Sequence, residues 1–298
     1  MKKVLILGGT GYIGTNLAIN LSKFYDVTVT GRKNLNIFLQ NYSSIKFFKL
    51  KLSDTEILKS IVDDYDVFIM LIPNLQPHQC SKKTDNDMIE IINPSENLFK
   101  LLALAKKKLI FSSTGGAVYG DSGIKMSKES DLCYPVNQYG KYKLKLEEIL
   151  EGIRKETEFD VDILRISNPY GGHFFNYFTT GFINTTLSKI KLNAPLSIWG
   201  NGLQVRDFIH INDVCEYIRR SIEIKGFNLM NIGTGVGNSL VSTCNLIAKV
   251  NAVKIDINFD YNYFESIPYN VLYTKKSEEI LGYIPKLDLE SGITLEKL

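Results

Sequence analysis

The sequence predicts an α/β protein: a doubly wound parallel sheet with a smaller C-terminal α/β lobe. Three observations carry that prediction. Short apolar runs alternate with amphipathic stretches through the first half of the chain. Such alternation marks βαβ units, whose parallel strands are covered by helices on both faces. A glycine-rich turn, Gly8-Gly-Thr10-Gly11-Tyr12-Ile13-Gly14, stands at the first strand–helix junction. The length, 298 residues with 44% apolar and 22% charged, suits one large α/β unit with a minor lobe.

The elements follow in order. Val4–Leu7 reads as the first strand and Gly11–Lys23 as the helix after it. Val27–Thr30, Ile45–Leu50, Val67–Ile72 and Leu109–Ser113 read as further strands, and Asp54–Val62 as an intervening amphipathic helix. Asp85–Lys107 has helical spacing, and Pro94 is expected to bend or split it. Asn137–Glu158 is a long helix and Val161–Ile166 the strand that follows. Beyond Gly171 the pattern loosens. Asn193-Ala-Pro195 and Gly200-Asn-Gly202 are turns, Ile211–Glu223 and Ser239–Val250 are helices, and Gly282-Tyr-Ile-Pro285 closes a C-terminal helical turn.

Composition narrows the function. A net charge of +3 argues for neither nucleic-acid nor membrane binding. Cys80, Cys133, Cys215 and Cys244 lack metal-ligand spacing, and the three histidines are scattered, so no metal site is expected. Free thiols point to a reducing cytoplasm. The apolar run before Gly8 is too short for a secretion signal, and none is long enough to span a bilayer.

Three pieces carry chemistry. Gly8, Gly11 and Gly14 follow a strand and open a helix, where a diphosphate can approach the backbone and meet the helix N-terminus. At the end of the second strand, Gly31 stands where an NAD site usually places an acid, and Arg32 and Lys33 follow. A basic residue suits a 2′-phosphate, so NADP(H) is favoured and NAD(H) is the alternative. Asp54 can reach an adenine edge or cap a helix. Tyr139 and Lys143 lie one helical turn apart, and a nearby ammonium favours the phenolate of a tyrosine that moves a proton. The hydroxyl run Ser112-Ser113-Thr114 ends a strand and can hydrogen-bond the reacting oxygen.

Together these residues resemble the extended short-chain dehydrogenase/reductase family of nucleotide-sugar epimerases, dehydratases and reductases. Further matches are Arg165-Ile-Ser-Asn168-Pro-Tyr170-Gly171, Gly200-Asn-Gly-Leu-Gln-Val-Arg206-Asp207-Phe208-Ile209-His210, Asn231-Ile-Gly233-Thr-Gly235 and Leu281-Gly282-Tyr283-Ile-Pro285. The resemblance covers nearly the whole chain. It implies a Rossmann-type dinucleotide-binding domain over residues 1–170, to which about 203–232 return, and a nucleotide-sugar lobe, mainly 171–298. Tyr139 would be the general acid/base and Lys143 its activator, both touching the cofactor along with Thr10, Tyr12, Ile13 and Leu71. The catalytic hydroxyl maps to Ser113 or Thr114, with Thr114 favoured. Asn93, Asn168 and Arg206 would contact the substrate, a nucleotide-diphosphate sugar. A homodimer is expected.

The chain departs from the family at three places. Leu71–Pro77 replaces the usual loop after the fourth strand, Phe264-Glu265-Ser266 stands where a second arginine is expected, and the acid after strand two is missing. The reading that fits best is an NADPH-dependent reductase of an NDP-4-keto-6-deoxy-hexose. An NAD-dependent UDP-hexose 4-epimerase is the alternative, and a non-catalytic nucleotide-sensing protein the second. Gly115-Gly116 offers no acid for a dehydratase. The Lys-, Ile- and Asn-rich composition suggests an AT-rich bacterial source, and with it surface polysaccharide biosynthesis.

Overall fold

The structure, a computed structural model, describes residues 1–32, 34, 38–72, 85–173, 181–261 and 267–298. In chain order the first half comprises β1 (Lys3–Leu7), α1 (Tyr12–Leu21), β2 (Asp26–Gly31), β3 (Lys46–Lys49), α2 (Thr55–Ile61), β4 (Val67–Met70), α3 (Asp85–Leu104), β5 (Lys108–Thr114), α4 (Gln138–Glu156) and β6 (Val161–Ile166). Then come β7 (Asn168–Tyr170), α5 (Phe182–Lys191), β8 (Leu196–Trp199), β9 (Val205–His210), α6 (Ile211–Ser221) and β10 (Phe227–Ile232). The last part holds β11 (Gly237–Ser239), α7 (Leu240–Asn251), β12 (Ile257–Asp260), β13 (Tyr269–Asn270), α8 (Lys275–Leu281) and α9 (Leu289–Leu295).

Seven strands form one sheet in the order β10-β6-β5-β4-β1-β2-β3. All its pairs are parallel. The apolar runs of the sequence are these strands, and alternate residues serve opposite cores. Val4, Ile6, Val67, Ile69 and Leu164 face α1 and α6, where Leu17, Val214 and Ile218 meet them. Leu5, Leu7, Phe68, Met70, Phe111 and Ile163 face the other way, onto Leu58 of α2, Phe99 of α3 and Leu146 of α4. Each such fully buried side chain contributes about 1.5–3 kcal/mol of transfer free energy. This is the parallel sheet covered on both faces that the alternation predicts, and the Rossmann-type architecture that the resemblance implies.

From β1 the chain winds outward through β2 and β3, then returns to β4 on the other side. The crevice between the C-terminal ends of β1 and β4 is therefore the switch point at which open parallel sheets bind ligands. The later segment α6–β10 comes back to this sheet: α6 packs on the α1 side, and β10 pairs with β6. A smaller sheet is built on β9, flanked by β7 and β13 in parallel and β11 antiparallel, with β8 and β12 paired separately. Tyr170, Ile183, Leu187, Phe208, Ile247 and Ile293 form its core.

Pro94 does not split the helix it interrupts; α3 is continuous through it. Proline removes one intrahelical donor. One turn is reinforced instead by Ser95 Oγ, which donates to Ile91 O at 3.0 Å, and buried Leu98, Phe99 and Leu102 hold the helix to the sheet. α4 starts where Asn137 Oδ1 accepts from Gly140 N at 2.9 Å, a side-chain cap. Lys33, Pro73–Pro77, Cys80 and Phe264-Glu265-Ser266 lie outside the described residues.

Candidate active site

The site begins at the turn into α1. Gly8 has φ +87°, and a Cβ on Gly14 would run into the backbone of Gly8 and Gly9, so the helix start sits directly on the turn. Gly11 caps α1 with no side-chain hydrogen bond, and the first turn holds no acidic residue. The N-cap residue thus offers these N–H groups no side-chain acceptor, and the helix dipole makes the end electropositive. Gly8, Gly11, Tyr12, Ile13 and Gly14 line a cavity of about 250 Å³. Uncapped donors on a glycine floor at the switch point fit a dinucleotide diphosphate. Tyr12 is fastened elsewhere: its hydroxyl donates to Gly171 O at 2.7 Å, and burial pushes its phenol well above the usual range.

The end of β2 explains the missing acid. A Cβ at Gly31 would collide with the Thr10 side chain. An aspartate or glutamate has no room there while Thr10 fills the turn. Arg32, the next residue, is exposed. Asp54 does not line the cavity; it stands at the N-cap position of α2, but its side chain makes no capping bond. Its carboxylate accepts from Lys51 N at 2.8 Å and closes the preceding turn. Leu71 does line the cavity, where its N–H bonds to Leu7 O at 3.0 Å.

The opposite wall is the end of β5 and the start of α4. Ser112, Ser113, Thr114 and Tyr139 line it, with Ile166–Pro169 and Gly181. The strand's alternation separates its hydroxyls. Ser113 shares the α4 face with Phe111, and its Oγ donates to Glu147 of α4. Thr114 turns to the other side; among the described residues its hydroxyl has no hydrogen-bond partner. Thr114 is 9% exposed, and Lys143 only 2%. The Lys143 ammonium donates to Ser112 O at 2.7 Å and lies 4.8 Å from the centre of the Phe111 ring. So the geometry ties Lys143 directly behind the wall that Tyr139 and Thr114 present.

Asn168 joins the wall and is held by its Nδ2, which donates to Asp207 O at 3.0 Å. The Asp207 carboxylate accepts from Thr234 N, Thr234 Oγ1, Gly235 N and Leu272 N, while its burial raises its pKa. Arg206, beside it on β9, is half-buried. Its Nη1 donates to Val205 O at 2.8 Å, and no carboxylate among the described residues pairs with it. Burial pushes its pKa down to about 10, so it stays charged at neutral pH. Arg206 stands outside the cavity wall proper. Asn93 is exposed on α3 and is not brought into the site.

Ser167, Gly181, Glu147 and Arg165 were not singled out individually from sequence. The available signal was Glu147, a charged residue one turn beyond Lys143 on the same helical face.

The model of the NAD dependent epimerase/dehydratase family matches residues 4–233. A dTDP-4-dehydro-6-deoxyglucose reductase of Escherichia coli is 31% identical over 97% of this chain and 95% of its own. A putative UDP-glucose 4-epimerase of Methanocaldococcus jannaschii is 28% identical over 97% and 95%. Among solved structures, the UDP-glucose 4-epimerase of Thermotoga maritima with UDP-glucose superposes with TM-score 0.90 at 24% identity, covering 98% of this chain and 96% of that one. That last likeness concerns the fold.

Proposed function

The chain belongs to the NAD dependent epimerase/dehydratase family, and from that premise we propose that it is an NADPH-dependent reductase. It is an enzyme of the extended short-chain dehydrogenase/reductase type, in the nucleotide-sugar epimerase, dehydratase and reductase group. The proposed substrate is an NDP-4-keto-6-deoxy-hexose, reduced to the alcohol at C4.

The observation that carries this reading is the end of β2. Thr10 occupies the space an acid at Gly31 would need, and Arg32 is exposed next to it. That combination removes the carboxylate that would repel a 2′-phosphate and supplies a guanidinium to bind it. NADPH is a consumed reductant, whereas an epimerase returns its hydride and needs no net supply. The full-length similarity to the Escherichia coli reductase supports the same choice.

The α1 N–H groups would hold the dinucleotide diphosphate, Arg32 its 2′-phosphate, and Leu71 and Tyr139 would flank it. When bound, the reduced cofactor supplies hydride to the carbonyl carbon. This chain's residues then handle the oxygen. Tyr139 gives it a proton, and Thr114 Oγ1 donates a hydrogen bond to it. Lys143, anchored on Ser112 O, supplies the positive charge that stabilises the phenolate left behind. Arg206 binds the sugar-nucleotide diphosphate, where a fork of donors suits phosphate oxygens, and Asn168 contacts the sugar. Ser113, tied to Glu147, is left out of the chemistry, and Asn93 is assigned no contact.

A dehydratase needs further acid and base groups beside the threonine. Here Gly115 and Gly116 follow it. A Cβ at Gly116 would meet only Thr114 Oγ1 at 3.7 Å and Asn168 Oδ1 at 3.8 Å, so that stretch of wall carries no side chain. The second reading is a 4-epimerase with retained NAD, favoured by the Methanocaldococcus jannaschii relative. We also propose a cytoplasmic homodimer acting in bacterial surface polysaccharide assembly; sedimentation at the monomer mass would sink the dimer. No helix among the described residues is long and apolar enough to cross a membrane.

The test is to offer NADPH, and separately NADH, with a panel of NDP-4-keto-6-deoxy sugars. Stoichiometric loss of NADPH with formation of the alcohol is expected. No net cofactor consumption, with interconversion of UDP-glucose and UDP-galactose, would replace the reductase by the epimerase.

A further inference from the structure

One turn beyond Lys143, α4 carries a second charged group on the face of Tyr139. Glu147 is 5% exposed and lies against the sheet. Its carboxylate is gripped by Arg165 of β6: Nη2 donates to Oε2 at 2.6 Å, and Nε reaches both oxygens at 3.1 and 3.2 Å. Ser113 Oγ donates to the same carboxylate, and Ser113 and Arg165 are direct register partners on neighbouring strands. The Arg165 guanidinium also stacks 4.8 Å over the Tyr119 ring, whose hydroxyl donates to Asn231 of β10 at 2.6 Å. Burial works against the guanidinium's charge, but its hydrogen bond and attraction to Glu147 outweigh that and raise its pKa. The guanidinium therefore stays charged.

A buried ion pair is no stability device as such. Well-packed apolar side chains in its place are often as stable or more so. What distinguishes this one is where it acts. Helix α4 meets β5 at two successive residues: Lys143 at Ser112 O, and Glu147 at Ser113 Oγ. One contact would leave the helix free to rock on the strand. Two, a helical turn apart, set its position along the strand and its rotation. Tyr139 sits on that helix, and Thr114 is the next residue of that strand.

We propose that Glu147, held by Arg165, is a positioning residue for the catalytic centre: by seating Ser113 it fixes β5 against α4, which aligns Tyr139 and Lys143 with the Thr114 hydroxyl. The inference rests on the site assignment above and holds for whichever reaction the site runs.

The test uses the full-length enzyme and the substrate its parent turns over. The paired variant Glu147→Met/Arg165→Met removes both charges together, leaving neither unpartnered. It should fold and bind NADPH as the parent does, keep KM for the sugar nucleotide within about 3-fold, and lose about 30-fold in kcat, as misplacement of reacting groups does. Glu147→Gln/Arg165→Gln retains an acceptor for Ser113 and should recover most of that loss. Ser113→Ala alone should lower kcat about 10-fold, and added to the methionine pair it should cost nothing more, because both changes cut one link. A methionine pair with kcat within about 3-fold of the parent overturns the proposal. So does a full further loss on adding Ser113→Ala, which would make Ser113 a substrate contact. If the methionine pair does not fold, Ser113→Ala decides alone: unchanged kcat overturns the proposal. An inactive parent fails the proposed function, whereas an active parent with indifferent variants fails only this inference.

Discussion

The two ends of the central sheet bury polar groups in opposite ways. At the N-terminal end, Lys108 and Asp162 pair at 2.9 Å, Lys108 Nζ also donates to Ile224 O at 2.7 Å, and Asn228 Nδ2 donates to Asp162 Oδ1 at 2.7 Å. These groups pair with one another, Asp162 Oδ2 through its charge contact with Lys108 alone, and clip β10 to β6. At the C-terminal end, the buried Thr114 hydroxyl has no partner among the described residues, and half-buried Arg206, on β9 of the smaller sheet, has no carboxylate among them. Withdrawing a polar group costs free energy unless something bonds to it. At the closed end the protein supplies the partner. At the open end the proposed site offers donors to a ligand.

The largest expected effect is at the open end. Tyr139→Phe should lower kcat about 1000-fold, within the range of a lost general acid, while NADPH binding survives. A variant that still turns over would break the comparison. Thr114→Val should cost about 100-fold in kcat, the effect of removing one donor from a developing oxyanion. Loss confined to KM would show that Thr114 only binds. Arg206→Met should raise KM for the sugar nucleotide about 30-fold and leave kcat nearly alone, because it removes binding common to ground and transition states. Arg206→Lys should restore only part of it. An unchanged KM would mean that the Arg206 guanidinium binds no diphosphate.

The smallest effect, on stability and about 1.8 kcal/mol between pH 4.5 and 6.5, probes the closed end. Burial holds Asp162 up to about 6 despite Lys108, against the ordinary 3.8. The native state then takes up a proton before the unfolded chain does. This contribution is fully present below about pH 4 and is lost as pH rises through about 6, by about 3 kcal/mol in all. Urea unfolding of Asp162→Asn at pH 4.5 and 6.5 should show that slope removed. A slope equal to the parent's would contradict the assignment.

Much of the open end was legible in the sequence because its parts are local. The glycine turn, the spacing of Tyr139 and Lys143 and the hydroxyl run on β5 each sit within one element or junction. The parallel strands were legible as continuous apolar runs for the same reason. What escaped needed the register of distant elements. Glu147 meets Arg165 only once β5 and β6 are paired, and Ser113 parts from Thr114 only once the strand's two faces are known. Asn93 depended on helix phase, and its side chain falls on the solvent side of α3. Asp54 depended on a turn that its own carboxylate closes. The strands around β9 were not anticipated one by one, being short and without alternation. The split that Pro94 allowed does not occur, because tertiary contacts hold a helix that local propensity alone would break.

The most direct test of the account follows the hydrogen itself. NADPH carrying deuterium at the transferable position would be incubated with an NDP-4-keto-6-deoxy-hexose, and the product examined by NMR. The account predicts one deuterium at C4 of the sugar for each NADPH oxidised, with Tyr139→Phe abolishing the transfer. A sugar product free of deuterium, formed with no oxidation of the cofactor, would contradict it.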